Sequence, residues 1–295
     1  MFSDTIFTYV LKKEDEGKKL EEILYRHFHF SRKLIQKIKI GENAWLDGEF
    51  VFLNTRGKAG QTLTVNIMGE ELSTIEGENN PIHILYEDDL FLAVNKPPGQ
   101  TVHPNSRYPF GTLANSVVGY WESKNESRPF RPISRIDRNT SGIVLIAKTR
   151  FAHQQLAWQA GKNLLGKRYL GIVEGQFFPD QGEFSSPIAL QAGSKIIREI
   201  SPKGQPAKTL FKVLQRFNDY SFMEFTLLTG RTHQIRVHCQ GSGHPLLGDD
   251  LYGGNMSYIQ RQALHCASYS FTHPLKQVRI HIEAPLPDDL RMLVH

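Results

Sequence analysis

The sequence predicts an α+β fold with a mostly antiparallel mixed sheet and flanking helices and loops. Three observations predict it. Strand-like runs far outnumber helical ones. They do not alternate with helices in the regular way that builds a doubly wound parallel sheet. A polar, acidic stretch, "GEELSTIEGENNP" from Gly69 to Pro81, separates a small leading unit from a larger remainder. The expected organisation is a small α/β unit over residues 1–68, a linker over 69–81 and a large domain over 82–295.

In the leading unit, "KKLEEILYRHFHF" places Leu20, Ile23, Leu24 and Phe28 at helical spacing. Ser31 is an N-cap for a second helix, "RKLIQKIKI", where Leu34, Ile35 and Ile38 repeat the period. "AWLDGEFV" sets Asp-Gly at a turn between two short strands, and "GQTLTVNIM" closes the unit with an alternating strand. In the larger domain, "IHILYEDDLFLAVNKPPG" reads as two strands around an acidic turn, and "GIVLIAKT" as a buried strand. Thr149 caps a helix in "RFAHQQLAWQA". "KRYLGIVEG", "KTLFKVLQRF", "YSFMEFTLLTG" and "QVRIHIEAP" are further strands.

Composition narrows the function classes. Among 295 residues, no apolar run reaches membrane-spanning length, so no membrane partner is expected. The start lacks the basic, apolar and small-residue order of a signal peptide. Two cysteines, Cys239 and Cys266, cannot form a disulfide scaffold, so a cytoplasmic location is expected. The net charge of +5 is a mild hint of a polyanionic partner. Ile23 to Gly41 carries five Lys/Arg, two His and no acid. That run is either a solvated helix face or a helix that tracks phosphates through Arg32, Lys33 and Lys37.

Four segments could carry chemistry. In "SRIDRNTSGIVLIAKT", Asp137 stands between Arg135 and Arg138 just before an apolar strand. A partly dehydrated acid held ionised by arginine suits a nucleophile or base, while a turn residue in a structural ion pair is the plainer reading. In "TGRTHQIRVHCQGSGHPLLGDDLYGG", Thr232 caps a helix. On it His233, Arg236 and Gln240 share one face, and Ile235 and Cys239 the other. Arg231 lies at its start, where an anion is favoured, and Arg236 one turn in, within reach of a buried carboxylate. Tyr169 opens an alternating strand after Lys167 and Arg168, and His103 lies in the stiff loop "NKPPGQTVHP". His233, His238, Cys239 and His244 match no standard zinc spacing, so no metal is expected.

Together these segments resemble the RluA-type pseudouridine synthases. "RIDRNTSG" resembles that family's catalytic motif, "NKPPGQTVHP" its upstream loop, "KRYLGIVEG" its tyrosine strand, and "GRTHQIRVH" with "HPLLGDDLYG" its third signature. They stand in family order across about Ile82 to Pro285. The leading unit resembles, more weakly, a small RNA-binding domain named after a ribosomal protein.

The resemblance implies isomerisation of uridine to pseudouridine in structured RNA, ribosomal RNA before transfer RNA, without cofactor; a monomer is the default expectation. It implies Asp137 as nucleophile or base and Arg236 as its ion-pair partner. Tyr169 would stack on the uracil and accept a proton late. Arg135 would fill the gap left by the flipped nucleotide, and Arg231 and Lys167 would meet phosphates. Ser134 and Asn139 depart from the family motif, which usually has His and often Asp there. A non-catalytic RNA-binding or ribosome-assembly protein of the same fold is the alternative, and a metal-dependent hydrolase a third reading.

Overall fold

The computed structural model describes residues 6–67 and 73–294. Four antiparallel strands form the leading sheet: β1 (Ile6–Val10), β2 (Ala44–Leu46), β3 (Glu49–Phe50) and β4 (Thr62–Asn66), ordered β1-β4-β2-β3. Helix α1 (Leu20–Arg26) covers it with Leu20, Ile23 and Leu24, and α2 (Arg32–Ile40) with Leu34, Ile35 and Ile38; Phe28, expected on the first helix, lies beyond its end. Ser31 accepts the Leu34 amide at 3.1 Å, a side-chain N-cap. Asp47 and Gly48 both take positive φ, +53° and +88°, as a tight two-residue hairpin turn requires.

The larger sheet begins with β5 (Ile84–Glu87), β6 (Phe91–Lys96) and β7 (Ser141–Ala147). Helix α3 (Leu113–Ser123) lies between β6 and β7, and α4 (Arg150–Gly161) follows β7, capped by Thr149. Then come β8 (Gly166–Glu174), β9 (Gln181–Phe184) and a hairpin of β10 (Ile188–Leu190) with β11 (Arg198–Ile200). The chain continues through β12 (Thr209–Arg216), β13 (Tyr220–Leu227) and α5 (Gln234–Gly241). It ends with β14 (Leu264–Thr272), β15 (Arg279–Glu283) and α6 (Asp288–Val294).

The sheet order is β5-β6-β7-β14-β8-β13-β12-β9, with β15 on β14. Every pair is antiparallel except β7 with β14. The architecture is the α+β class that the sequence predicts. One central strand was not anticipated: β14, which joins the β7 half to the β8 half. Its residues are buried on both faces, so its sequence shows no polar alternation. At the β7–β14 contact Gly142 has φ +107°, and a Cβ there would stand 2.3 Å from the Cys266 carbonyl oxygen. Only glycine admits both the backbone shape and the approach of the neighbouring strand.

Two further findings concern the boundaries. Of the expected linker, residues 69–72 lie outside the described residues. From 73 onward the chain is packed along α3: the Glu78 amide donates to Asn115 O at 2.9 Å, and Asn115 Nδ2 donates to Glu76 O at 2.9 Å. The leading unit rests on α4. Phe7 and Phe30 meet Phe151, His29 stacks on Trp158 at 4.0 Å, and Gln155 donates to Phe28 O at 2.7 Å.

Candidate active site

Asp137 lies in the turn that feeds β7, and buried groups grip that turn on every side. The Thr140 amide closes it on Asp137 O at 3.1 Å. Lys96, wholly buried at the end of β6, donates to Arg138 O at 3.0 Å and Pro97 O at 2.7 Å. Arg261 donates to Asn139 O at 3.1 Å while forking onto Asp289 of α6 at 2.7 and 2.9 Å. Gln262 donates to Thr140 Oγ1 at 3.2 Å. Backbone carbonyls of the turn need donors, and Lys96 and Arg261 supply them, while Gln262 holds the Thr140 hydroxyl.

The Asp137 carboxylate is about one quarter exposed, at 27%. Arg236 Nη1 donates to its Oδ2 at 3.1 Å. The stronger partner of Arg236 is Asp249, absent from the sequence-level candidates. Arg236 Nε and Nη2 fork onto its two oxygens at 2.8 and 2.7 Å, and Asp249 is fully buried. Burial opposes the charge on Arg236. The Asp249 carboxylate and then Asp137 outweigh it and hold the guanidinium above its ordinary value. Asp249 thus fixes the arginine, and one remaining edge of the fork meets the more open Asp137.

His233 flanks this pair. Its Nε2 is 3.8 Å from Asp137, and its Nδ1 is 2.8 Å from the Tyr252 hydroxyl. Tyr252 accepts the Arg198 amide at 2.9 Å, which leaves its own proton for His233 Nδ1. Burial lowers the His233 pKa, so the ring is neutral with Nε2–H toward the acid. Helix α5 corrects two expectations. Its N-cap is His233 in the left-handed region, at φ +57°, and not Thr232. It also has no simple polar and apolar faces, because Gln234 through Cys239 are all buried and only Gln240 of the expected trio is exposed.

Asp137, Arg236 and His233 open onto a cavity of about 610 Å³, which Tyr169, Lys167, Arg135, Arg138 and Arg231 also line. Asp137 is its only carboxylate, against five Lys/Arg, among the described residues. Burial raises the Tyr169 hydroxyl pKa well above its ordinary value, so Tyr169 presents a neutral ring. Lys167 is half-buried, with Nζ 5.5 Å from the Tyr269 ring centroid, while Arg135 and Arg231 are exposed. His103 borders the cavity and packs edge-on to Phe130. Arg32, Lys33 and Lys37 are exposed on α2 in the leading unit. The other residues of the His/Cys group turn elsewhere: His238 bonds Thr209 Oγ1 and Ser186 O, His244 bonds Glu174 O, and Cys239 is a buried thiol. No group of three metal-ligating side chains gathers among the described residues.

A single, arginine-held acid in a cationic cavity on a mixed sheet defines a class by its chemistry: proteins built to receive a polyanionic ligand. The comparisons with known proteins make this specific. Residues 90–241 match the family model described as RNA pseudouridylate synthase. The chain is 39% identical over 266 residues to the uncharacterised RNA pseudouridine synthase YjbO of Bacillus subtilis, covering 90% of this chain and 94% of that protein. It is 32% identical to ribosomal large subunit pseudouridine synthase D of Haemophilus ducreyi, covering 94% and 90%. Human RNA pseudouridylate synthase domain containing 1 shares the fold, with a TM-score of 0.60 at 23% identity over 74% of this chain and 95% of that one. The chain belongs to the RNA pseudouridine synthase family, isomerases that convert uridine in RNA to pseudouridine.

The site residues that the sequence reading missed are Asp249, Lys96 and Arg261. Asp249 and Lys96 lie inside the segments quoted above, but nothing in those segments separates Asp249 from its neighbour Asp250, or marks Lys96 as buried.

Proposed function

We propose that the chain isomerises uridines in large-subunit ribosomal RNA, with Asp137 acting on a nucleotide flipped out of its stack. The observation that carries this reading is the cavity, where one carboxylate faces five cations. The RNA class is supported by the name of the Haemophilus relative, ribosomal large subunit pseudouridine synthase D.

The reaction breaks the C1′–N1 bond, turns the uracil, forms a C1′–C5 bond, and moves the C5 proton off while N1 gains one. Nothing is lost overall. Asp137 either attacks C1′ or removes a proton from C2′, and both roles need an accessible carboxylate. The departing uracil is a tolerable anion, so the second acid of a typical glycosidase is dispensable. In this reading Arg236 orients Asp137, and Tyr169 stacks on the base. The neutral ring of Tyr169 favours stacking over the proton-accepting role. Arg135 fills the vacated stack, at a site where flipping costs a few kcal/mol. Arg231, Lys167 and the α2 cations Arg32, Lys33 and Lys37 hold the RNA backbone.

The test compares wild type with Asp137→Asn on protein-free large-subunit ribosomal RNA, with pseudouridine read by mass spectrometry. Wild type is expected to form product and the variant none above background. Equal product from both removes Asp137 from the mechanism. Tight RNA binding with no pseudouridine on any cellular RNA favours the non-catalytic assembly reading instead.

A further inference from the structure

We propose that Arg107, Tyr108 and Arg138 form a second RNA contact at the cavity rim, gripping two phosphates that flank the target nucleotide. The proposal rests on the reading of the cavity as an RNA site, and it adds a contact that reading does not contain.

The geometry begins at the catalytic turn. The Arg138 carbonyl is held by buried Lys96 at 3.0 Å, so the residue next to Asp137 is rooted. Its side chain is exposed, and its Cζ lies 5.0 Å from the centroid of the Tyr108 ring. Arg107, also exposed, brings its Cζ to 5.6 Å from the same ring. A tight turn fixes this second anchor. The Asn105 side-chain oxygen accepts the Arg107 and Tyr108 amides, each at 3.0 Å, and Asn105 and Tyr108 exchange backbone hydrogen bonds at 3.1 Å. Two guanidinium groups from separate loops are therefore fixed to one aromatic ring.

Neither arginine has a carboxylate partner among the described residues. Other surface arginines do: Arg168 pairs with Glu224, and Arg291 with Asp288. Gathering two like charges on one ring is electrostatically unfavourable until an anion arrives. The cation–π contact orients each guanidinium and leaves N–H donors for oxyanions, the geometry that arginine offers phosphate. Tyr108 is covered by its arginines, so it serves as scaffold and not as a stacking surface. Asn105 and Arg138 both line the Asp137 cavity. The anions that meet these arginines therefore belong to the strand that delivers the target nucleotide, and in RNA those anions are phosphates.

The experiment measures RNA affinity across salt concentration for wild type, Arg107→Gln, Arg138→Gln and the double variant. The probes are protein-free large-subunit ribosomal RNA and, in parallel, transfer RNA. Both positions are exposed, so folding is not at stake. Each single variant is expected to lower the slope of log affinity against log salt by about one, and the double by about two. A slope unchanged in both singles, a slope lowered in only one, or no salt-dependent binding by wild type overturns the site. Pseudouridine formation by wild type on the same RNA is scored separately. Its absence overturns the enzymatic reading, while the slopes alone still decide the arginine site.

Discussion

Asp249 and Asp137 share one arginine, yet they differ in burial, and that difference sets how much stability each contributes. Asp249 is fully buried and takes two of the hydrogen bonds from Arg236, while Asp137 is partly open and takes one. Asp249→Ala leaves the buried Arg236 with only its single hydrogen bond to Asp137 and is expected to cost about 3–5 kcal/mol of stability. Asp137→Asn keeps Arg236 paired with Asp249 and is expected to cost far less. Urea unfolding of both variants checks the contrast, and equal losses would contradict it. The same contrast shows what was legible at this scale. Asp137 stands out in sequence because it is a lone acid between arginines at the edge of an apolar strand. Arg236 was legible as its partner, but Asp249 was not. A buried carboxylate in a loop carries no periodic signal, and a second aspartate follows it directly.

At the scale of elements, legibility followed periodicity. Helix α2, the Asp-Gly hairpin and strands such as β12 were readable because one face is apolar or a turn demands particular residues, and β7 because it is an unbroken apolar run. Strand β14 was missed, and the faces of helix α5 misassigned, because both are enclosed yet carry polar residues, His265 and Ser268 in β14 and Gln234, Arg236 and His238 in α5, so neither shows an apolar run or an alternation. An element buried on all sides has no polar face to set its phase. For α2 the exposed face makes a direct prediction. If it tracks RNA phosphates, replacing Arg32, Lys33 and Lys37 together with Gln lowers the salt slope of RNA binding by up to about three. Titration of the triple variant against wild type reads this directly. An unchanged slope makes the helix an ordinary solvated surface.

For the whole molecule, buried histidines set the response to acid. Burial lowers the pKa of His233, His238 and His265, the last to about 4. In the unfolded chain they titrate near about 6.5. As the pH falls through that value the unfolded chain takes up protons that the folded chain refuses. The stability these groups contribute is complete above about 6.5 and lost as the pH falls toward 4. The urea midpoint is therefore expected to be lower at about pH 5 than at about pH 7, before most carboxylates titrate. A flat profile over that interval would show that the histidines are hydrated in the folded state. None of these shifts could be read from the sequence, since burial of a histidine depends on which strands close over it.

The place of β14 in the sheet also has a consequence for the order in which the protein is made. It joins the half that carries Asp137 to the half that carries Tyr169, yet it is nearly the last strand to leave the ribosome. Until it has been translated, the acid and the tyrosine belong to two unjoined fragments. Asp289, which braces the Asp137 turn through Arg261, emerges later still. A nascent chain can thus expose its leading unit, with the α2 cations, long before it has a working active site. Exposure of the α2 cations and closure of the Asp137 cavity are separated in time during synthesis.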